Sequence, residues 1–128
     1  MKILIAFSFT LFFFSHTVLA QNDLEVTMKN MALSYKNTMQ AQNVDSLINH
    51  LNEFKSLVLK SKELGFPPEK SVVSIEGIDK VLVLINKAEV LAKNGQLLEA
   101  QSILKSVDGL RKEYHKYHEP SLWQLIFG

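Results

Sequence analysis

Between Leu24 and Tyr117 apolar residues return every third or fourth position in four successive blocks, and this helical period limits the fold more than any other feature of the chain. In the first block, from about Leu24 to Gln42, residues Leu24, Met28, Met31, Tyr35 and Met39 share one helix face. Asp23 precedes them as an N-cap candidate, because its carboxylate can accept from free first-turn amides. The second block runs from about Val44 to Leu64, with Leu47, Leu51, Phe54, Val58 and Ser61 as its stripe. Gly65 follows as a left-handed cap, and Pro67-Pro68 prevents continuation. The third, from about Ser71 to Asn94, turns Ile75, Ile78, Leu82, Ile85, Ala88 and Ala92 inward. The fourth, from about Leu97 to Tyr117, carries Ala100, Leu104, Val107, Leu110 or Arg111, and Tyr114, and Pro120 ends it.

Val81-Leu82-Val83-Leu84-Ile85 is rich in β-branched residues, which favour sheets. Strands would need turn signals inside the block, and none stands between Ser71 and Asn94. Gly77 interrupts this third block. It is either a tolerated glycine or a place where backbone approaches something bulky. Connections of a few residues force consecutive helices to be antiparallel. The expected fold is therefore all-α, an antiparallel up-down-up-down four-helix bundle over residues 21–120.

The first 20 residues do not belong to that pattern. Lys2 supplies a positive charge, Ile3 to Phe14 is almost wholly apolar, and Val18-Leu19-Ala20 puts a small residue before Gln21. These are the marks of a secretory signal peptide cleaved after Ala20, and the apolar run is shorter than the ~20 residues a membrane span needs. The expected destination is the periplasm. A second segment outside the pattern, residues 121–128, is apolar through Leu122, Trp123, Leu125, Ile126 and Phe127. It is too short to span a membrane, and its apolar surface predicts that it folds back on the bundle.

Composition excludes several functions. Lys2 leaves with the leader, which brings the 14 Lys and Arg down to 13 against 13 Asp and Glu. A neutral chain has no basic surplus for a phosphate backbone, so no nucleic-acid partner is expected. The absence of cysteine removes thiolate catalysis, Cys-ligated zinc, iron–sulfur clusters and covalently attached haem. The Gly-rich phosphate loop, the His-Glu-x-x-His pair and the Gly-x-Ser-x-Gly elbow are all missing, so the chain does not read as an enzyme. His50 falls on the polar side of the second helix, as a solvated residue.

The topology brings two donors to one end. At 1.5 Å per residue, Met28 lies about 6 Å from the start of the first helix and His115 about 3–5 Å from the end of the fourth. A thioether facing an imidazole is a possible axial pair for haem iron. A stripe methionine is also ordinary core filler, and a histidine in a last turn is favoured there by the helix dipole. Both readings are open on spacing alone. His115 and His118, three residues apart, are by themselves too few for a closed zinc site, and Asp108 and Glu119 are the acidic residues that could add to them.

Beyond periodicity, the mature chain resembles the periplasmic cytochrome b562 family. The resemblance is carried by Asp23-Leu24-Glu25 leading to Met28, Gly65-Phe66-Pro67-Pro68, Gly77-Ile78-Asp79, Asn94-Gly95 leading to Glu99-Ala100-Gln101, and above all Arg111-Lys112-Glu113-Tyr114-His115-Lys116. It implies one non-covalent b-type haem, with Met28 and His115 as axial iron ligands and Arg111 beside the ring. It also implies an electron carrier that meets periplasmic redox proteins, expected as a monomer without stable membrane insertion. Where the family has bulky aromatics on the early third helix, this chain has Ser74 and Ile78. The alternative reading is a haem-free periplasmic bundle that binds a protein or a small ligand.

Overall fold

The structure, a computed structural model, describes residues 23–114, and of Arg111 the backbone alone. Helix α1 covers residues 23–40, α2 Val44–Leu64, α3 Ser71–Lys93, α4 Leu97–Leu104 and α5 Ser106–Tyr114. A single 3-10 turn, Pro68–Lys70, leads into α3. No strand occurs among the described residues, so the β-branched run of α3 is helical as expected. The architecture is the antiparallel up-down-up-down four-helix bundle, with α4 and α5 together forming the fourth rod. The leader 1–20 and the tail 121–128 lie outside the described residues.

The turns follow from local chemistry. The Asn43 side chain accepts from the Ser46 N–H at 2.8 Å and so caps α2. At the other end of α2, Gly65 takes φ 83°, and its N–H donates to the Ser61 carbonyl at 3.1 Å. The end of α3 is a Schellman motif: Gly95 takes φ 79°, its N–H donates to Ala92 and that of Gln96 to Leu91, both at 2.9 Å. Antiparallel register is visible in the ion pairs between α2 and α3. Lys62 meets Asp79 at 2.6 Å and Lys55 meets Glu89 at 3.2 Å, partners advancing on one helix as they retreat on the other.

The fourth rod was expected to be one helix. Instead Lys105 separates α4 from α5 while keeping helical angles, φ −59° and ψ −27°. The Tyr35 hydroxyl donates to the Leu104 carbonyl at 3.0 Å. The Asp108 N–H bonds to Lys105, three residues back, at 3.1 Å. A bond from α1 has thus captured an acceptor of the rod's own ladder, and the helix tightens locally around it.

Two inner faces are also rotated from expectation. In α1 the deepest residues include Thr27, Met31, Ser34 and Thr38, while Tyr35 and Met39 are half-buried at the side. Two of the hydroxyls are satisfied within the helix: Ser34 donates to Met31 at 3.0 Å and Thr38 to Ser34 at 2.7 Å. Asp23 is already helical rather than a cap, and α1 ends at residue 40 rather than Gln42. In α3 the inner line is Ser74, Gly77, Ile78, Val81, Ile85, Ala88 and Ala92, with Ile75 and Leu82 displaced to the flank. The stripe of α2 is buried as read, and so are Ala100, Leu104, Val107 and Tyr114. The main core joins Leu47, Leu51, Phe54, Val58, Ile85 and Leu104, with the Tyr35 and Phe54 rings 5.5 Å apart at 52°.

Candidate functional site

The bundle carries a second apolar cluster, apart from the main core, at the end where α1 begins and α5 stops. Leu24, Met28 and Tyr114 are its buried members, and Ala32, Leu64, Phe66, Val73 and Leu110 pack around them. Met28 is 3 % exposed, so its thioether is held away from water. Met28 of the first helix and Tyr114 of the fourth rod, the residue immediately before His115 in sequence, share this cluster. His115 itself lies outside the described residues, as do His118, Glu119 and the side chain of Arg111.

Register between α1 and the fourth rod fixes the levels. Tyr35 meets Leu104, and the Gln101 amide reaches the Thr38 carbonyl. Continued back along α1, the same antiparallel register sets Met28 level with Arg111. His115 follows Arg111 by four residues, about one turn or 6 Å.

Tyr114 is the residue whose importance the sequence signalled least directly. Its ring lies against Gly77, where an added Cβ would stand 3.4 Å from two ring carbons. The glycine of α3 is therefore a saddle for a bulky neighbour, as one of its two sequence readings held. Lys80, one turn along, places its Nζ 5.2 Å from the ring centroid. Its hydrogen bond to Tyr114, then the negative charges of Glu113 and Glu76, raise the Lys80 pKa above its ordinary value. Ser74 and Gly77 are both buried on the same face, and small residues at these positions leave room for the ring. Phe66, from the connection between α2 and α3, is half-buried against both clusters and supplies aromatic surface that Ser74 and Ile78 do not.

Elsewhere the polar groups are ordinary. His50 is half-covered in a hollow with Asn37, Gln42 and Asn43, rather than fully solvated. Asp108 lies 3.8 Å from Lys112. Among the described residues no three His, Asp or Glu side chains gather as a metal site. None of the described helices is long and apolar enough to cross a membrane.

A buried thioether walled by Leu, Phe, Val and Tyr is a soft, neutral donor in an apolar surround. A thioether of this kind could serve as a ligand to haem iron, and Leu24, Leu64, Phe66 and Val73 would keep water from it. No curated protein matches the chain. The family model described as cytochrome b562 does match, over residues 23–119.

Proposed function

The chain belongs to the cytochrome b562 family, a family of haem-binding electron-carrier bundles, and we propose that it serves as a periplasmic electron carrier with one non-covalent b-type haem per chain. Met28 and His115 would hold the haem iron, and Arg111 would stand beside the haem. The observation that carries this reading is the burial of the Met28 thioether in an apolar cluster closed by Tyr114, next in sequence to His115.

The bound haem would supply a one-electron iron couple, raised in potential by a thioether ligand. The chain does the rest. Leu24, Leu64, Phe66, Val73 and Leu110 exclude water from Met28. The seat of Tyr114 on Gly77 fixes the backbone that leads into His115. With Met28 and His115 both holding the iron, the chain would leave no open position for a substrate, so the protein would carry electrons rather than turn over a substrate. Its partners are periplasmic redox proteins, reached after a signal peptide is removed at Ala20. The mature protein is a monomer and does not insert into membranes.

A visible spectrum of protein purified from the periplasm tests the reading. The reduced protein should show sharp low-spin α and β bands. His115→Ala should remove most haem affinity. Met28→Ala should keep weaker binding, become high-spin and lower the potential. His118→Ala should change little, because His118 is about 60° off the His115 direction on a continuing helix. A wild-type protein that gives no Soret shift with excess haem would leave the haem-free ligand-binding bundle in its place.

A further inference from the structure

Beside the cluster, and on the outer surface, a groove of about 520 Å³ runs between α3 and α5, lined by Lys80, Val83, Leu84, Ser106, Gly109, Leu110 and Glu113. Its floor is apolar, and its charges stand at one end. Val83 leaves 53 % of its surface to solvent although it faces this groove. Gly109 lies in the middle of α5, where glycine weakens a helix, and a Cβ added there would meet nothing within 4 Å. The fold thus leaves an open notch beside bare backbone, flanked by Leu84 and Leu110.

We propose that this groove is the seat of the chain's own segment 121–127. Three observations select that occupant. The first is position: the groove's rim at Glu113 is one residue from Tyr114, where the described chain ends, and 14 residues follow. Residues 115–120 span at most about 20 Å when extended, ample to reverse direction and return along α5. The second is chemistry: segment 121–127 has no charged residue and carries Leu122, Trp123, Leu125, Ile126 and Phe127, which match an apolar floor. The third is size. In an extended segment Trp123, Leu125 and Phe127 point to one side over about 13 Å, close to the length of α5 from Ser106 to Glu113, about 10 Å. The open face of Gly109 is where the indole has room. Two other surface hollows fit less well. One, between α1 and α5, has apolar lining in Leu33, Tyr35 and Met39 but is edged by Lys36, Gln40 and Asp108, and the other is a shallow face of α3 alone, from Val72 to Val83, that shares Lys80 and Val83 with the groove and has no second wall.

Trp123 is the single tryptophan of the chain, so its fluorescence reports on this segment and nothing else. The position of emission and the acrylamide quenching constant, corrected for the lifetime without quencher, are read on the full mature chain, with wild type and variants compared at equal haem occupancy. The wild type should emit to the blue of free indole and resist quenching. Gly109→Lys fills the notch while favouring the helix, and Val83→Glu charges the opposite wall. Each should shift emission to the red and raise the quenching constant several-fold, with helical circular dichroism unchanged. Val90→Lys, exposed on α3 and outside the groove, should do neither. Four results would overturn the proposal: a wild type that emits as free indole; protection that survives both groove variants; protection lost on dilution, which belongs to a second copy; and a blue shift that appears only with lipid vesicles.

Discussion

The two ends of the bundle are closed in different ways. At the end that carries the turns 41–43 and 94–96, closure is polar and directional. Gln101 Nε2 lies within reach of three carbonyls at the end of α1, those of Thr38, Met39 and Ala41, at 3.3, 3.2 and 2.9 Å. Asn43 caps α2, the Schellman motif finishes α3, and Tyr35 holds Leu104. Each such bond works at one register only. At the opposite end Leu24, Met28 and Tyr114 are enclosed by Leu64, Phe66 and Val73. Apolar contact is non-directional, so one apolar surface can replace another there at small cost. The polar end sets how the helices align, and under the proposed function the apolar end would use that alignment to receive the haem.

The comparison breaks first on core substitutions, which have the largest effects. Leu47 is fully buried in the main core, and Leu47→Ala should lower unfolding free energy by about 2–5 kcal/mol in a urea titration. The visible bands of haem-loaded protein should stay where they are. Met28→Ala should cost less, toward the lower part of about 2–5 kcal/mol, because half-buried Phe66 can close over the gap. Its spectrum should change completely. If Leu47→Ala also disturbs the bands, the two ends are not independent.

Why some of this was legible in the sequence follows from the same contrast. The stripe of α2 could be read residue by residue because its inward positions are large and apolar. In α1 the apolar spacing misled: Thr27, Ser34 and Thr38 lie inside, and two of these hydroxyls bond carbonyls of their own helix, so their polarity does not force them out. The face of α3 turned toward Ser74 and Gly77 because a ring from α5 needed space, and no local pattern encodes a partner on another helix. The break at Lys105 has no proline or glycine beneath it. What meets the rod there is the Tyr35 hydroxyl, bonded to the Leu104 carbonyl 69 residues along the chain. For the site, the topology brings Met28 and His115 to one end as a possible pair, whereas the choice of that reading over core filler, and the role of Arg111, come from the resemblance. The sequence places Tyr114 only in the stripe of its helix, and the glycine opposite is the clue to its seat.

Gln101 gives a smaller and sharper test. Gln101→Ala removes the one side chain that reaches the Thr38, Met39 and Ala41 carbonyls. Water can replace part of that bonding, so the cost should be about 1–2 kcal/mol. Hydrogen exchange should quicken at the end of α1 while amides near Met28 keep their protection. Equal loss at both ends would mean that the polar closure does not act locally.

Tyr35 gives the smallest effect and the one with a pH signature. Its hydroxyl donates to the Leu104 carbonyl, and burial, with the negative charge of Asp108 second, pushes its pKa from 10.0 up to about 12. A phenol whose pKa is raised by folding holds its proton longer in the native state than in the unfolded chain. The stability it adds is therefore fully present below the unfolded value, near pH 10, and is lost as pH rises through about 12. Tyr35→Phe keeps the ring against Phe54 but frees the Leu104 carbonyl, which should cost about 1 kcal/mol at neutral pH. The difference in stability between wild type and Tyr35→Phe should be constant up to about pH 10 and shrink above it, whatever the other tyrosines and lysines do, since they titrate in both proteins. Deprived of the competing donor, the rod should also recover its bond from the Asp108 N–H to the Leu104 carbonyl, and the one-residue break at Lys105 should heal. Nuclear magnetic resonance of the 104–108 amides reads that directly: a break that persists in Tyr35→Phe would place its origin within the fourth rod rather than in α1.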